Sequence, residues 1–350
     1  MPDNQTQLDY KAPLRNCWYY VMPSHRLKAG KMYGRVILGE PIVFGRTDDG
    51  QIFGLRDICP HRALPLSCGQ FDGKEIMCNY HGWRFAPSGH CTRVPTLVEG
   101  QDFNVARIRT NAYELRDHQG NIWVWMGAKR EVYPDLPDIP VLGNSPIRVA
   151  ITMDFPCEVD EAVISFMDPA HGPFIHNSWW YRSRRPPYEK AKLYTPTPYG
   201  FRMERFASKA TGLVYRLLGG GVSTEITFQL PTYRIEHLTA GKYTLCSLTT
   251  TTPTKPGHCD ITQLYYWNMP WLHPLAPIVK YFSILFLRQD HKAICQQTEA
   301  LKFNPPMLLV DDADIPAKWY YRQKREFLRA EAEGRPFENP VKERVLRYKT

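Results

Sequence analysis

No stretch of this sequence is both apolar and long enough to cross a bilayer. Its most apolar window, Trp271 to Leu287, is interrupted by His273, Pro274, Pro277 and Lys280, whereas a spanning helix needs about 20 mostly apolar residues. That window is expected as a buried or interfacial helix, with at most weak contact to a membrane surface. Low-complexity tracts and internal repeats are also missing, which excludes solenoid and fibrous architectures. The polar start, Met1 to Leu8 with Asp3, lacks the basic flank and apolar stretch of a signal peptide. The nine cysteines are odd in number and thinly spread, so they do not form a disulfide framework. A reducing, cytoplasmic setting is expected. No Gly-x-Gly-x-x-Gly joins a strand to a helix, because Leu217-Leu218-Gly219-Gly220-Gly221 precedes a strand instead. A nicotinamide or flavin site is therefore not expected.

What is present is the composition of a folded protein. The chain has 350 residues, 43% hydrophobic and 13% aromatic, with a net charge of +9. That length exceeds what one core usually serves, so two domains are expected. The positive charge suits acidic partners, although it is also an ordinary device for solubility. Arg182, Arg184 and Arg185 beside Trp179-Trp180 come with no nucleic-acid fold signature, and nucleic acid is not expected as a partner.

Short β-branched and aromatic runs broken by Gly, Pro and Asp fill the first third of the chain: Gly34 to Leu38, Pro41 to Phe44, Gln51 to Leu55, Ile76 to Asn79 and Asn121 to Met126. They predict a small antiparallel β domain. Lys129-Arg130-Glu131 followed by Pro134, Pro137 and Pro140 makes a stiff connection, and the cut is drawn near residue 128, giving domains 1–128 and 129–350. Beyond it, Val159 to Asp168, Ile278 to Leu301 and Ala317 to Glu333 are expected as helices. Gly200 to Phe206, Ser223 to Leu230, Tyr233 to Leu238, Lys242 to Thr251 and Asp260 to Trp267 are expected as strands. The fold class is thus α+β: an all-β first domain, then an antiparallel sheet with helices against one face.

Two segments carry chemistry. Cys59-Pro60-His61 is followed after sixteen residues by Cys78-Asn79-Tyr80-His81, so each of two loops offers one thiolate and one imidazole. Two-cysteine, two-histidine zinc sites usually keep like ligands in one limb, whereas a Rieske [2Fe–2S] centre takes two Cys on one iron and two His on the other. A zinc knuckle is the competing reading. Through Cys59-Pro60-His61-Arg62 and Cys78-Asn79-Tyr80-His81-Gly82-Trp83 the sequence resembles the Rieske iron-sulfur family.

The second segment, Asp168-Pro169-Ala170-His171 and then His176, sets a carboxylate and two imidazoles within nine positions. Two His and one carboxylate form the facial triad of non-haem Fe(II) oxygenases, although paired loop histidines are more often structural. Joined to the first segment, the chain resembles the catalytic subunit of Rieske non-haem iron oxygenases, of the single-chain type that acts on pheophorbide, sterols or steroids. The resemblance implies iron ligation by His171 and His176. It also implies a homotrimer in which Asp168 links His171 to His81 of the next subunit. Many relatives have Asn where this chain has Ser165.

A third, distant carboxylate is required, and Asp260, Asp290, Glu299, Asp311, Asp312 and Asp314 are the candidates. In a helix over Ile278 to Leu301, Phe282, Phe286, Asp290 and Ile294 share one row. A carboxylate on that apolar face is costly unless it is paired or metal-bound, which favours Asp290 over the others. Gln289-Asp290 with Gln296 and Glu299 downstream also looks like the pheophorbide-oxygenase branch.

The implied cofactors are a [2Fe–2S] cluster at Cys59, His61, Cys78 and His81 and a mononuclear Fe(2+) at His171, His176 and Asp290. NAD(P)H would act indirectly, through a separate ferredoxin or flavin reductase. The implied reaction uses O2 to hydroxylate or oxidatively demethylate a substrate. Trp179, Trp180, Tyr181, Tyr188, Tyr215, Tyr265, Tyr266 and Trp267 favour a bulky, hydrophobic, polycyclic one. The C-terminal anchor and Cys-x-x-Cys tail of many pheophorbide relatives are not seen before Arg347-Tyr348-Lys349-Thr350, so the expectation leans towards a sterol-like or steroid-like molecule. A chlorophyll-type or aromatic-ring substrate is the alternative within the family. An electron-transfer protein with a non-catalytic binding domain, and a lipid-binding module of helix-grip shape, are the alternatives outside it.

Overall fold

The computed structural model describes residues 9–140, 146–176, 178, 187–207 and 221–350. They form two compact units. One comprises 15–136 with 254–256, and the other takes the remaining described residues. The chain passes between them at Leu136–Pro137, inside the proline-rich stretch and beyond the cut drawn near 128.

The strands of the first unit all pair antiparallel. Lys31–Ile37, Glu40–Arg46, Ile52–Arg56 and Ala112–Tyr113 make one four-stranded sheet, and Cys17–Pro23, Asn121–Met126 and Leu115–His118 make a three-stranded one. A third sheet consists of the short strands Gln70–Phe71, Ile76–Met77, Arg84–Phe85 and Cys91–Arg93. Strand Ile76–Met77 stops earlier than the sequence suggested, because Cys78 already turns into a tight loop. Val43, Phe53, Leu55, Leu66, Ile76 and Phe85 pack as a core, and the side chains of Cys59 and Cys78 are part of it.

The second unit is an eight-stranded antiparallel sheet in the order Val149–Phe155, Cys259–Trp267, Tyr243–Pro253, Tyr233–Ala240, Ser223–Gln229, Gly200–Ala207, Glu189–Thr197, Arg344–Lys349. Helices α1 (Val159–Met167), α2 (Gly172–Ile175), α3 (Ala276–Leu301) and α4 (Ile315–Glu333) accompany it. Phe155 meets Phe166 of α1 and His291 of α3, and Phe201 meets Trp319 of α4. Since Phe155 and Phe201 share a sheet face by register, the helices gather on that one face, as expected from the sequence.

The ends of α1 and α4 follow from local chemistry. Asp160 and Glu161 sit in the first turn of α1, where the helix dipole favours acids. Asp168 leaves the helix with extended backbone because Pro169 disfavours the helical conformation before it. Helix α4 closes on Gly334 at φ +65°, a left-handed position that glycine fills without penalty.

The Lys324 ammonium of α4, 1% exposed, is within 2.7 Å of Asp160 of α1, which also accepts from Tyr320. Removing one partner of such a pair leaves a buried charge uncompensated. Lys324→Met is expected to cost about 3 kcal/mol, measured as the shift in urea unfolding free energy. A loss below a few tenths would mean that the pair is solvated.

No described helix is long and apolar enough to cross a membrane. The window Trp271 to Leu287 divides in two. Leu287 is buried with Asp290 and Ile294 beyond it, whereas Trp271, Leu275, Ile278 and Tyr281 are exposed.

Candidate active site

Cys59 and Cys78 start two loops of the same construction. The Cys59 carbonyl accepts from Ala63 N–H and the Cys78 carbonyl from Gly82 N–H, both at 2.9 Å. The Cys59 N–H donates to Leu64 and the Cys78 N–H to Trp83. Each loop turns through a left-handed residue, Ala63 at φ +59° and Gly82 at φ +72°. The first loop is also pinned by Asp57, which accepts from the Ser67 backbone N–H at 2.6 Å and its hydroxyl at 2.5 Å.

The two thiols lie inside and the two imidazoles at the rim. Cys59 and Cys78 are each 2% exposed, and the His61 and His81 ring centroids are 4.3 Å apart. Trp83 stacks on His61 with the ring planes nearly parallel, centroids 4.5 Å apart. Burial, together with its Cys78 neighbour, pushes the Cys59 thiol up to about 11. His61 Nδ1 is buried without a hydrogen-bond partner. A buried thiol pair and an orphaned imidazole nitrogen suit metal better than protons, so these residues fit a cluster with Cys on one iron and His on the other.

The twin loops differ in strain. In Ala63 the left-handed turn costs about 1–2 kcal/mol, against about 0.7 kcal/mol of extra backbone entropy for a glycine there. Ala63→Gly should therefore raise unfolding free energy by about 0.5 kcal/mol. Gly82→Ala should lower it by about 1 kcal/mol, since the added Cβ would also meet Pro95 at 3.2 Å. Denaturation midpoints moving the other way would contradict the shared loop geometry.

In the second unit, α2 is a single turn with His171 at its start and His176 just after its end. Both imidazoles meet Asp290 of α3: His176 Nε2 is 3.5 Å and His171 Nε2 3.8 Å from Asp290 Oδ1. Among the described residues, these three offer ligand atoms within 4.8 Å of one another. Burial pushes Asp290 up to about 7 and His176 down to about 4, and also lowers His171. Three poorly solvated ligands disfavouring their own charges are suited to a divalent cation, which supplies the missing charge. Two His and one carboxylate on one side leave positions open, the geometry of non-haem Fe(II) sites.

The other sequence candidates are engaged elsewhere. Glu299 meets Lys302, Asp311 meets Lys318 and Asp312 meets Arg344. Asp314 accepts from Val310 N–H, and Asp260 lies in the strand opposite Asp154.

Hydrogen bonds orient both rings. His171 Nδ1 is 2.8 Å from the main-chain carbonyl of Asp168 and 3.8 Å from its carboxylate. The Asp168 carboxylate itself accepts from Ala170 N–H at 2.7 Å. His176 Nδ1 is 3.1 Å from Gln289 Oε1, and Gln289 in turn donates to Ser178 at 2.7 Å. With Nδ1–H on each ring given to an oxygen, both Nε2 atoms face Asp290. Phe286 stacks on His176 at 3.5 Å. The Ser165 hydroxyl donates to Glu161 O of its own helix. Of the expected aromatic lining, Tyr266 and Trp267 are core and Tyr188 is exposed. Trp179, Trp180, Tyr181, Tyr215, Arg182, Arg184 and Arg185 lie outside the described residues.

The model of the Rieske [2Fe–2S] domain matches residues 17–111. The chain carries a Rieske domain. Both Cys-His loops lie within that match, and the fold is shared with two solved structures. Dicamba monooxygenase bound to dicamba superposes with a TM-score of 0.73 over 92% of this chain and 100% of that one, at 20% identity. The QL mutant of NdmA from Pseudomonas putida CBB5 with caffeine gives 0.71 over 93% and 94%, at 18% identity.

Curated relatives include chlorophyllide a oxygenase of Chlamydomonas reinhardtii, 34% identical over 51% of this chain. The 4beta-methylsterol monooxygenase of Methylococcus capsulatus is 34% identical over 40% of it. The matches span 27% and 40% of those proteins' own lengths.

Proposed function

We propose that the protein is a Rieske-type oxygenase that uses O2 and externally supplied electrons to hydroxylate or oxidatively demethylate a bulky, mainly apolar, polycyclic substrate. The observation that carries this reading is the convergence of His171, His176 and Asp290 in a chain that also holds the two Cys-His loops. Chlorophyllide and a methylsterol, the compounds in two relatives' names, are both polycyclic, which supports the substrate class.

Cys59, His61, Cys78 and His81 would hold a cluster suited to single-electron transfer, and His171, His176 and Asp290 would hold a ferrous ion that would supply redox chemistry with dioxygen. The chain's own part is positional. The Asp168 carbonyl holds the proton on His171 Nδ1, and Gln289 holds that on His176 Nδ1, so each ring presents Nε2 to Asp290. Phe286 covers the His176 ring and shields it from water. The Asp168 carboxylate, one-third exposed, is proposed to reach His81 of a neighbouring subunit in a homotrimer.

Electrons are proposed to come from a separate ferredoxin or flavin reductase drawing on NAD(P)H, docked through the net charge of +9. A relative named as the iron-sulfur subunit of the toluene-4-sulfonate monooxygenase system of Comamonas testosteroni, 32% identical over 35% of this chain, supports a multicomponent arrangement. The exposed Trp271, Leu275, Ile278 and Tyr281 support weak contact of a cytoplasmic enzyme with a membrane surface. The test is 18O2 labelling with a reductase pair and a panel of steroids, sterols and chlorophyll derivatives. The reading expects label in product. Reductant oxidation without labelled product from any of them would contradict it.

A further inference from the structure

The sheet face that bears the helices carries an unexpected set of side chains. Register places Arg234, Thr249 and Gln263 in one cross-strand row and Glu236, Ser247 and Tyr265 in the next. On the same face, toward the sheet edge, come Tyr194 and Lys192. Ser247, Thr249 and Gln263 are buried, so the wall is polar where a hydrocarbon-lined pocket would be apolar.

This wall faces the metal-ligand set. Tyr265 hydrogen-bonds Ser283 of α3, two turns before Asp290, and donates to Gln263 Oε1 at 3.0 Å. The guanidinium of Arg234 is close enough to act on both Asp290 and His171. Arg234 also lines a small cavity with Val163, Phe166 and Met167 of α1, the helix that ends at Asp168.

The charges on the wall do not balance. Arg234 is 3.0 Å from Glu236, and Lys192 shares the influence of that same Glu236. Lys192 is held against the rings of Phe206 and Tyr348, 5.3 Å and 5.5 Å from their centroids. Burial pushes Lys192 down to about 8, the mark of a cation whose solvation has not been replaced. Asp290 offers no relief, because on the proposed reading its charge belongs to iron. Arg234 and Lys192, with Lys190 beside Lys192, therefore outnumber the one carboxylate, Glu236, and guanidinium and ammonium groups recognise carboxylates strongly when desolvated.

We propose that the substrate is an organic acid, an apolar body bearing a carboxylate-type group, and that Arg234 and Lys192 are the specificity residues that receive this anion across from the metal ligands. The inference rests on the oxygenase reading for the position of the reacting carbon, but the anion site itself is tested by binding. It refines the polycyclic class: Arg234 and Lys192 would select an acid over a neutral sterol of the same size.

Equilibrium dialysis of the anaerobically reconstituted full chain with 1-pyrenebutyrate and with 1-pyrenebutanol compares one ring body with and without the charge. The acid is expected to bind about tenfold more tightly. Arg234→Gln is expected to abolish that preference while leaving the alcohol's affinity unchanged. Lys192→Gln, nearer the sheet edge, gives a second reading should the first variant fail to fold. Equal affinity for acid and alcohol, a preference surviving both substitutions, or no saturable binding of either compound would overturn the proposal. Iron counted in the same samples separates the two ideas: acid preference in protein holding only cluster iron leaves the anion site standing and removes the oxygenase.

Discussion

Asp290→Ala is expected to leave the visible and EPR signature of the [2Fe–2S] cluster unchanged while the iron content falls from about three to about two per chain. Substrate-dependent oxygen incorporation should fall to background. The reason is geometric: Asp290 Oδ1 is the atom that both His171 Nε2 and His176 Nε2 approach. Two neutral imidazoles alone would neither balance nor hold a divalent cation tightly. The fold should survive, because Ala removes a buried carboxylate whose ionisation is costly without metal. Retention of full mononuclear iron would move the third ligand elsewhere.

Asp168→Asn should keep both metal centres and lower turnover by about 10- to 100-fold. Asn preserves the oxygen that accepts from Ala170 N–H and the main-chain carbonyl that orients His171. The local turn and the ligand ring therefore stay in place. What is lost is the negative charge 3.8 Å from His171 Nδ1, the group proposed to connect the ligand to the next subunit's cluster. A stopped-flow measurement of cluster reoxidation by O2 in the presence of substrate reads this directly. Wild-type reoxidation rates in the variant would make Asp168 a purely local residue of the turn.

Much of this arrangement is legible in the sequence, for reasons that differ from residue to residue. Cys59, His61, Cys78 and His81 sit in two short segments whose spacing declares them, and the loops are local structures. Asp290 stands out because a carboxylate interrupts the row Phe282, Phe286 and Ile294. The helix ends at Asp168 and Gly334 are written in Pro169 and in glycine itself.

Other features are carried by contacts that no local pattern encodes. The acceptor for His171 is a backbone carbonyl, which has no signature in residue type. Gln289, Ser178 and His176 meet only through the tertiary fold. The strands Cys17–Pro23 and Val149–Phe155 escape a periodicity reading, the first because it is buried almost throughout, the second because Thr152 and Asp154 break up a short apolar run. Glu189–Thr197 contains Pro196 and alternating lysines, and Arg344–Lys349 is a charged edge strand. Even where strands are evident, as at Tyr233–Ala240, the sequence does not say which face meets the helices. That choice decides whether Arg234 and Glu236 look at solvent or at the metal ligands.

The central claim is that one polypeptide holds both a two-iron cluster and a separate mononuclear iron. Counting iron and acid-labile sulfide in protein reconstituted anaerobically with excess ferrous salt, then desalted, tests it most directly. About three irons and about two sulfides per chain are predicted. Two irons and two sulfides, with His171, His176 and Asp290 intact, would contradict it.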